Sequence, residues 1–264
     1  MSAPDLPPPP AHPVGPRPLH VHLHVSDVEL RVLAGGVVVV IDAIRASVTI
    51  AAALAAGARA VVPVLSVAEA EGRAAALRAA GVAVVCGGER GGVRVPGFEL
   101  DNSPASYTSD RVAGRTVVFT TTNGTAALLH AASAERVLVG SFANLVAVCS
   151  AVEPDPRPVH LLCCGTRDEV SLDDVLPAGA MADRLVAAGR SLTGDDGARL
   201  AMLAWRGAKD DLEGAMRSSR GGRNLITQGL GADVTACSRR DWLEVVPEYD
   251  RVSGEIRLAD GGRK

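Results

Sequence analysis

The chain alternates continuously apolar runs with segments whose apolar positions recur at helical spacing. The run from Val37 to Ile41 is apolar throughout, which is typical of a parallel strand buried on both faces. Further runs of this kind lie at residues 60–65, 82–86, 116–121, 136–142 and 159–165. Most of them precede a helical pattern, the longest at 171–189. This alternation predicts an α/β fold, a three-layer αβα arrangement around a mainly parallel sheet.

The two ends of the chain depart from this alternation. Residues 1–18 are dense in proline and are predicted to be a disordered tail. After about residue 190 the apolar strands stop, helical segments follow near 195–208 and 222–229, and "WLEVVPEY" with "GEIRL" predicts a small C-terminal hairpin. We expect residues 19–264 to form a single α/β unit, with two subdomains divided near residue 190 as an alternative.

The segment "LHVHLHV" alternates His20, His22 and His24 with aliphatic residues, which predicts a strand with one histidine face. Three histidines on one face could bind a metal ion. However, side chains two residues apart on a strand are about 6–7 Å apart, which is wide for shared ligation. A solvated strand face is the interpretation we favour.

Composition narrows the classes of function. Of 264 residues, 47% are hydrophobic and 22% charged, with a net charge of −3 and 3% aromatics, so neither nucleic acid nor membrane is an expected partner.

The five cysteines, an odd number without metal-ligand spacing, indicate reduced thiols. No apolar stretch reaches the ~20 residues of a membrane span. We expect a soluble cytoplasmic protein. The pair Cys163 and Cys164 could pack in the core or face a site.

Polar residues follow the predicted strands, at the sheet edge where parallel α/β proteins bind ligands. The stretch "FTTTNGTAAL" places Thr121 to Thr125 where a strand becomes a helix. The first amides of a helix have no intrahelical partner and favour anions, and Gly124 permits close approach. The stretch therefore predicts a phosphate site, although a capped helix with mutually bonded threonines is the alternative.

Acidic and basic residues lie on the same predicted edge. Asp42 ends the first buried strand, where a metal ligand and a helix N-cap are both consistent with it. Arg45 would lie in the first helical turn, where a cation opposes the helix dipole unless it reaches an anion. Asp173 and Asp174 begin another helix and could hold Mg²⁺. The glycine-rich segment 87–103 carries Glu89 and suggests either a backbone held close to a ligand or a mobile lid.

Taken together, the motifs resemble the 2-phosphosulfolactate phosphatase family of coenzyme M biosynthesis. The matching segments are "VVVIDAIRASVTI", "GGERGGVRVPGFELDNSP", "VVFTTTNGTAAL", "VGSFANLVAV", "CCGTRDEVSLDDVLPAGA" and "SSRGGRNLITQGLGADVTAC". The resemblance implies an α/β, magnesium-dependent phosphatase that converts 2-phospho-3-sulfolactate into 3-sulfolactate and phosphate. Its partner would be a small phosphorylated and sulfonated acid. The oligomeric state stays open, with a homodimer as one alternative.

The resemblance, together with the polar residues that follow the predicted strands, predicts three groups of site residues. The catalytic group is Asp42, Arg45, Glu89 and Arg90. The substrate-binding group is Ser47, Asn102, Ser103, Thr121, Thr122, Asn123, Gly124, Thr125, Asn144 and Ser219. The metal ligands are Asp42, Glu89, Asp174 and Asp233.

The chain departs from the family pattern at four positions near the predicted site. Ile44 replaces a leucine, Ser47 replaces a threonine but keeps a hydroxyl, Val48 replaces a threonine and loses the hydroxyl, and Asp101 adds a charge where a glycine is more usual. Two alternatives therefore accompany the prediction: a phosphatase with a different small phosphoacid as substrate, and a non-enzymatic binder of a phosphorylated metabolite.

Overall fold

The computed structural model of the protein describes residues 17–192 and 196–259. The strands of this part are β1 (Pro18–His22), β2 (Val37–Ile41), β3 (Ala60–Pro63), β4 (Val84–Arg90), β5 (Val93–Arg94), β6 (Thr116–Thr120), β7 (Arg136–Val139), β8 (Val159–Cys163), β9 (Ser191–Leu192), β10 (Pro247–Asp250) and β11 (Glu255–Leu258). The α-helices are α1 (Leu30–Leu33), α2 (Ala46–Ala55), α3 (Val67–Ala79), α4 (Ser109–Val112), α5 (Gly124–His130), α6 (Leu145–Val152), α7 (Leu172–Ala187), α8 (Asp196–Ala208), α9 (Leu212–Ser218), α10 (Arg220–Thr227) and α11 (Gly231–Ser238). Short 3₁₀ turns lie at Val25–Asp27, Pro104–Ser106, Ala131–Ser133 and Phe142–Asn144.

Strand β2 shows why the fold has three layers. Val37, Val39 and Ile41 pack into one core cluster with residues of α6, α7 and α8. Val38 and Val40 point to the opposite face and pack into a second cluster with residues of α2 and α5. Helices on both faces exclude water from every side chain of the strand, which accounts for its continuous apolar run. The predicted αβα arrangement is confirmed.

The strands form one sheet in the order β5-β4-β6-β3-β11-β10-β7-β2-β8-β1-β9. Pairing is parallel within the group β4-β6-β3 and within the group β7-β2-β8-β1-β9. The predicted C-terminal hairpin forms from β10 and β11, but it is not a peripheral addition. It lies between the two parallel groups, where β10 pairs with β7 and β11 with β3. The C-terminal hairpin thus joins the two groups of parallel strands into one sheet.

Strand β4 is longer than the sequence pattern predicts. It continues through Gly87 and Gly88 to Arg90 and turns back into β5, so that Glu89 pairs with Arg94. The expectation that Glu89 lies on a loop excursion is therefore wrong. The two glycines allow this extension because a Cβ atom at Gly87 would collide with the Tyr107 hydroxyl, and one at Gly88 with the backbone of β6. The extension carries Glu89 on a rigid element to the carboxyl edge of the sheet.

The N-terminal strand is more enclosed than predicted. Within the predicted tail, residues 1–16 lie outside the described residues, but Arg17 donates hydrogen bonds to the carbonyls of Glu153 and Ala188, and Pro18 begins β1. Strand β1 pairs with both β8 and β9, so it is not an edge strand of the sheet. His20 and His22 are half-buried and stack on the ring of His160. Among the described residues, no helix is long and apolar enough to cross a membrane.

Candidate active site

An open cleft lies at the carboxyl ends of the parallel strands, where ligands bind in α/β sheets. Residues after β2, β6 and β8 and at the end of β4 form its floor, and helix α10 forms its opposite wall. Its lining residues are Asp42, Ile44, Arg45, Glu89, Gly91, Gly92, Asn102, Thr122, Asn123, Thr166, Arg167, Gly221, Asn224, Leu225 and Gln228. Six residues of the predicted site thus share one cleft: Asp42, Arg45, Glu89, Asn102, Thr122 and Asn123.

The cleft brings Asp42 against the turn that follows β6. A Cβ atom placed on Gly124 would lie 2.7 Å from Oδ2 of Asp42, so only glycine allows the two segments to approach this closely. Four strands separate β6 from β2 in the sheet, which would put them roughly 24 Å apart if the sheet were flat, at about 4.8 Å per strand. The turn after β6 therefore reaches along the edge of the sheet to the end of β2, and this approach brings the two segments into one cleft.

Glu89 holds the threonine turn in place. Its Oε1 accepts hydrogen bonds from the backbone N–H of Thr122 (2.8 Å) and from the Thr122 hydroxyl (3.0 Å). Its Oε2 accepts the N–H of Gly92 at 2.6 Å. Both carboxylate oxygens are therefore committed to hydrogen bonds with the protein, and Glu89 connects the β4–β5 turn to the turn after β6.

The threonine turn leaves two backbone N–H donors without an acceptor in the described part of the chain. Thr121 and Thr125 bond to each other: Thr125 N–H donates to the Thr121 hydroxyl (3.3 Å), and the Thr125 hydroxyl donates to the Thr121 carbonyl (3.1 Å). This is the mutual capping that the alternative interpretation of the sequence expects. However, Asn123 and Gly124 donate their N–H groups to no acceptor in the described part of the chain. These two amides are available to an anion.

Arg45 is buried and paired. Its Nη1 lies 2.5 Å from Oδ2 of Asp233, and its Nη2 donates to the carbonyl of Gly92 at 3.0 Å. The other carboxylate oxygen of Asp233 accepts the Ser103 hydroxyl at 2.6 Å. Much of the positive charge of Arg45 is therefore neutralised within the protein, and the pair attaches helix α11 to the floor of the cleft.

Asn102 contributes an uncommitted acceptor to the cleft. Its backbone carbonyl accepts the Thr49 hydroxyl at 2.9 Å, which fixes the main chain. Its side-chain Oδ1 is buried and has no hydrogen-bond partner among the described residues. A buried unpaired carbonyl oxygen is unfavourable unless a ligand or a water molecule satisfies it.

Ten predicted residues lie outside the lining of the cleft, among them Arg90, Ser47, Asn144 and Ser219. Arg90 donates to the carbonyls of Glu89 and Leu65 and to the Thr120 hydroxyl. The Ser47 hydroxyl accepts the N–H of Asp42, so it supports that residue from behind. In the structure, Asn144 and Ser219 serve as helix-start residues: the Asn144 amide bonds to Ser141 and to the Val139 carbonyl, and Ser219 caps α10.

Acidic side chains are concentrated below the cleft. Asp174 accepts the N–H groups of Ala43 and Gly165, both at 2.8 Å, and Asp173 accepts the Ser171 hydroxyl and the N–H of Gly221. Burial, with the charges of Asp173 and Asp42, raises the pKa of Asp174 well above its usual range. Asp174 therefore organises the backbone beneath Asp42.

Asp42 itself titrates near neutrality. Burial raises its pKa from 3.8 to about 7, and the charges of Asp173 and Glu89 add to the effect, while the Ala46 N–H and Arg45 oppose it. Its Oδ1 accepts the N–H of Ala46 at 3.3 Å. Its Oδ2 has no hydrogen-bond partner in the described part of the chain and faces the Gly124 turn. Asp42 is thus a carboxylate of the cleft with an oxygen free for a ligand.

Cys163 and Cys164 pack in the hydrophobic core, which was one of the two predicted alternatives. Cys163 and Cys164 are buried in the core clusters on opposite faces of the sheet. Burial raises the pKa of both thiols well above their usual value, so neither is a thiolate nucleophile near neutral pH. Among the described residues, no group of three or more histidine, cysteine, aspartate or glutamate side chains is arranged to hold a metal ion.

Several lining residues were absent from the sequence prediction. Thr166 and Arg167 directly follow β8, so the rule that sites lie beyond strand ends could have identified them. Gly221 and Asn224 lie on α10 and Gln228 directly follows it, about 50 residues from the nearest lining residue in the chain. The segment belongs to the family resemblance, but no strand precedes that helix, so the rule that sites lie beyond strand ends did not point to these residues.

Comparison with known proteins agrees with this geometry. A family model described as 2-phosphosulpholactate phosphatase matches residues 23–251. A probable 2-phosphosulfolactate phosphatase of Symbiobacterium thermophilum is 39% identical over 228 residues, covering 86% of this chain and 96% of that protein. A second, of Deinococcus radiodurans, is 39% identical over 231 residues, covering 85% of this chain and 94% of that protein. A third, of Caldicellulosiruptor saccharolyticus, is 33% identical over 231 residues, covering 86% of this chain and 94% of that protein. Since the match extends over most of the chain, the protein belongs to the 2-phosphosulfolactate phosphatase family, whose members are phosphoric monoester hydrolases.

Proposed function

We propose that this protein hydrolyses 2-phospho-3-sulfolactate to 3-sulfolactate and phosphate, with Mg²⁺ as its cofactor. The observation that carries the proposal is the contact between Gly124 and Asp42. It places two unpaired backbone N–H groups beside a carboxylate with a free oxygen, at the edge of the sheet where α/β enzymes bind substrates. Membership of the phosphatase family supports the same reaction class.

Some residues of the cleft would bind the phosphoryl group directly, and others would support the residues that bind it. The N–H groups of Asn123 and Gly124 would donate to its oxygens, and these donors are preorganised because Glu89 fixes the neighbouring Thr122. The Thr122 hydroxyl already donates to Glu89, so its role is to support the turn rather than to bind the substrate. Arg45 acts mainly through structure, since Asp233 neutralises it.

The free donor atoms of the cleft fit magnesium. Mg²⁺ is commonly held by one or two carboxylates together with water and substrate phosphate, so a cage of several acids is not required. Asp42 Oδ2 and Asn102 Oδ1 are oxygens in the cleft wall without hydrogen-bond partners among the described residues. We propose these two as the protein ligands, whereas the oxygens of Glu89, Asp174 and Asp233 are engaged with other groups. When bound, the ion would supply charge stabilisation and lower the pKa of water.

Asp42 would couple cation binding to pH. With its pKa at about 7, a substantial fraction of the carboxyl carries a proton at neutral pH in the absence of a cation. A carboxylate must lose that proton to ligate a metal, so binding of the cation would release it. The affinity for Mg²⁺ should therefore rise as the pH increases toward 8.

The test is release of inorganic phosphate from 2-phospho-3-sulfolactate, measured with and without Mg²⁺ and compared with other small phosphoacids. We expect turnover with magnesium and loss of turnover with a chelator. Binding of the phosphoacid without phosphate release would favour the non-enzymatic alternative. Faster turnover of another phosphoacid would assign the protein to a different substrate. Undiminished turnover in the chelator would contradict the role of the cation.

The close approach of Gly124 to Asp42 gives a second prediction. In Gly124→Ala, the new Cβ atom would lie 2.7 Å from Asp42 Oδ2 and 2.8 Å from the Ala46 Cβ, so the turn must move. We expect kcat/KM for phosphate release to fall about 100-fold, because displacement of a catalytic group by about 1 Å has that effect. The free energy of unfolding should fall by about 1–3 kcal/mol.

Gly72→Ala is the matched control. Gly72 lies within α3, and a Cβ atom there would meet nothing within 4 Å. This variant should keep full activity and gain about 0.5–1 kcal/mol of stability, because alanine favours a helix interior over glycine. Wild-type turnover in Gly124→Ala would mean that the contact with Asp42 is not required for catalysis.

A further inference from the structure

Arg167 is an uncommitted cation in the wall of the cleft. Within the described part of the chain, the arginines that line the cleft are Arg45 and Arg167. Arg45 is buried and forms an ion pair with Asp233. Arg167, by contrast, is exposed and forms neither a hydrogen bond nor an ion pair with any described residue. The cleft therefore has one guanidinium whose charge and donors are available to a ligand.

The loop that carries Arg167 is well anchored. Thr166 and Glu169 exchange backbone hydrogen bonds at 2.9 and 3.3 Å, and the Glu169 side chain pairs with Arg220 at the start of α10. Between these anchors, Arg167 and Asp168 both adopt left-handed backbone conformations, with φ of 53° and 58°. Such conformations are unfavourable for residues other than glycine and persist only where surrounding contacts impose them. The loop thus presents the Arg167 side chain from a fixed backbone position.

The position of Arg167 relative to Asp42 suggests which part of a substrate it meets. Arg167 follows β8, and Asp42 follows the adjacent parallel strand β2. Ile41 pairs with Cys163 in this register, so Asp42 is one residue and Arg167 four residues beyond the paired ends, and both line the same cleft. The Gly124 turn contacts Asp42, whereas Arg167 lies on the loop after β8. A ligand with its phosphate at the Gly124 turn would therefore meet Arg167 through a second group a few atoms away from the phosphate.

The chemistry of the proposed substrate provides such a group. In 2-phospho-3-sulfolactate, the phosphate ester and the carboxylate are attached to the same carbon, so both lie near the phosphate site. The sulfonate is on the next carbon and must extend away from it. A sulfonate has three acceptor oxygens and a full negative charge, and the planar, weakly hydrated guanidinium group is well matched to such an oxyanion.

We propose that Arg167 binds the sulfonate of the substrate and sets the specificity of the cleft for phosphoesters that carry this second anion. The inference rests on the proposed function. It assigns to Arg167 a binding role in specificity and none in the chemistry of the phosphoryl group, which Asp42 and the Gly124 turn serve. Removing the guanidinium should therefore raise KM for the sulfonated substrate more than it lowers kcat.

The experiment compares two enzymes on two substrates. Wild type and Arg167→Gln are assayed for phosphate release from 2-phospho-3-sulfolactate and from 2-phospholactate, which keeps the carboxylate and the phosphate but lacks the sulfonate. We expect Arg167→Gln to lose about ten- to a hundredfold in kcat/KM on the sulfonated substrate, mainly through KM, and to change less than about threefold on 2-phospholactate. Arg167→Lys should recover part of the loss.

The controls separate failure of this inference from failure of the proposed function. Arg199→Gln, an exposed arginine on α8 outside the cleft, should match wild type on both substrates. If wild type releases phosphate from neither substrate, the proposed function itself is wrong. If it does release phosphate, an equal loss on both substrates, or no loss on the sulfonated one, would overturn the assignment of Arg167 and leave the phosphatase proposal intact.

Discussion

Replacing Asp42 with asparagine is expected to lower phosphate release about 10³-fold or more and, at the same time, to stabilise the folded chain above pH 7. The loss of activity follows from the place of Asp42 against the Gly124 turn and from its free Oδ2 in the cleft. The gain in stability follows from burial, because the carboxylate is desolvated and faces the charges of Asp173 and Glu89. The amide is nearly isosteric and keeps an oxygen for the Ala46 N–H.

The sign of the pH dependence can be derived from the pKa shift. The folded pKa of about 7 is above the usual value of 3.8, so the folded state binds the proton more tightly than the unfolded state. The difference between wild type and Asp42→Asn should therefore be small below pH 4 and grow as the pH rises from 4 to 7. A shift of about 3 pKa units corresponds to at most about 4 kcal/mol. At higher pH the difference should remain constant.

Thermal and urea unfolding of both chains from pH 4 to pH 8, in a metal chelator, would test this expectation. Asp210→Asn, an exposed acid outside the cleft, is the control and should behave as wild type in unfolding and in phosphate release. If Asp42→Asn were less stable than wild type at pH 8, the carboxylate would have stabilising partners that compensate for burial. If it kept wild-type turnover, Asp42 would have no place in the reaction.

Removing the carboxylate of Asp233 should produce the largest loss of stability among the site residues. Asp233→Ala leaves the buried guanidinium of Arg45 without its partner at 2.5 Å and leaves the Ser103 hydroxyl without its acceptor. Unpairing one member of a buried ion pair typically lowers stability by 3–5 kcal/mol, so we expect a loss of about that size in urea unfolding. Activity should fall as well, because Arg45 also holds the carbonyl of Gly92 in the cleft wall.

Two variants test whether this loss comes from the unpaired charge. The double variant Arg45→Met with Asp233→Leu removes both charges and should recover much of the stability without recovering activity. Asp183→Ala breaks the partly exposed pair with Arg206 and should change stability by less than about 1 kcal/mol. If Asp233→Ala and Asp183→Ala had similar effects, the buried pair would not be a major determinant of stability.

The sequence predicted those parts of the site that follow directly from a strand end. Asp42 after β2 and the Thr121–Thr125 turn after β6 were expected at one edge of the sheet, and both are there. These features depend on contacts between residues close in the chain, and on the general rule that parallel strands end at a common edge.

The same reasoning could not show which polar side chains form hydrogen bonds or ion pairs within the protein and which keep an atom free for a ligand. Glu89 and Asp42 look alike in the sequence, since each follows an apolar run. In the structure, Glu89 has both oxygens bonded to the turn after β6, while Asp42 keeps one oxygen free. Arg45 and Arg167 likewise differ because Arg45 is buried and paired with Asp233, remote in the chain, whereas Arg167 is exposed and unpaired among the described residues. Such differences depend on which groups fold back onto one another.

By itself, the sequence determined the alternation of buried strands and helices, the αβα layers and the turn that follows β6, because apolar periodicity and capping residues indicate burial and backbone conformation one segment at a time. The tertiary structure decided the insertion of the C-terminal hairpin into the middle of the sheet and the approach of Gly124 to Asp42. It also decided the placement of α10 over the cleft. These features arise from pairing between residues far apart in the chain, where the order of the strands sets the distances.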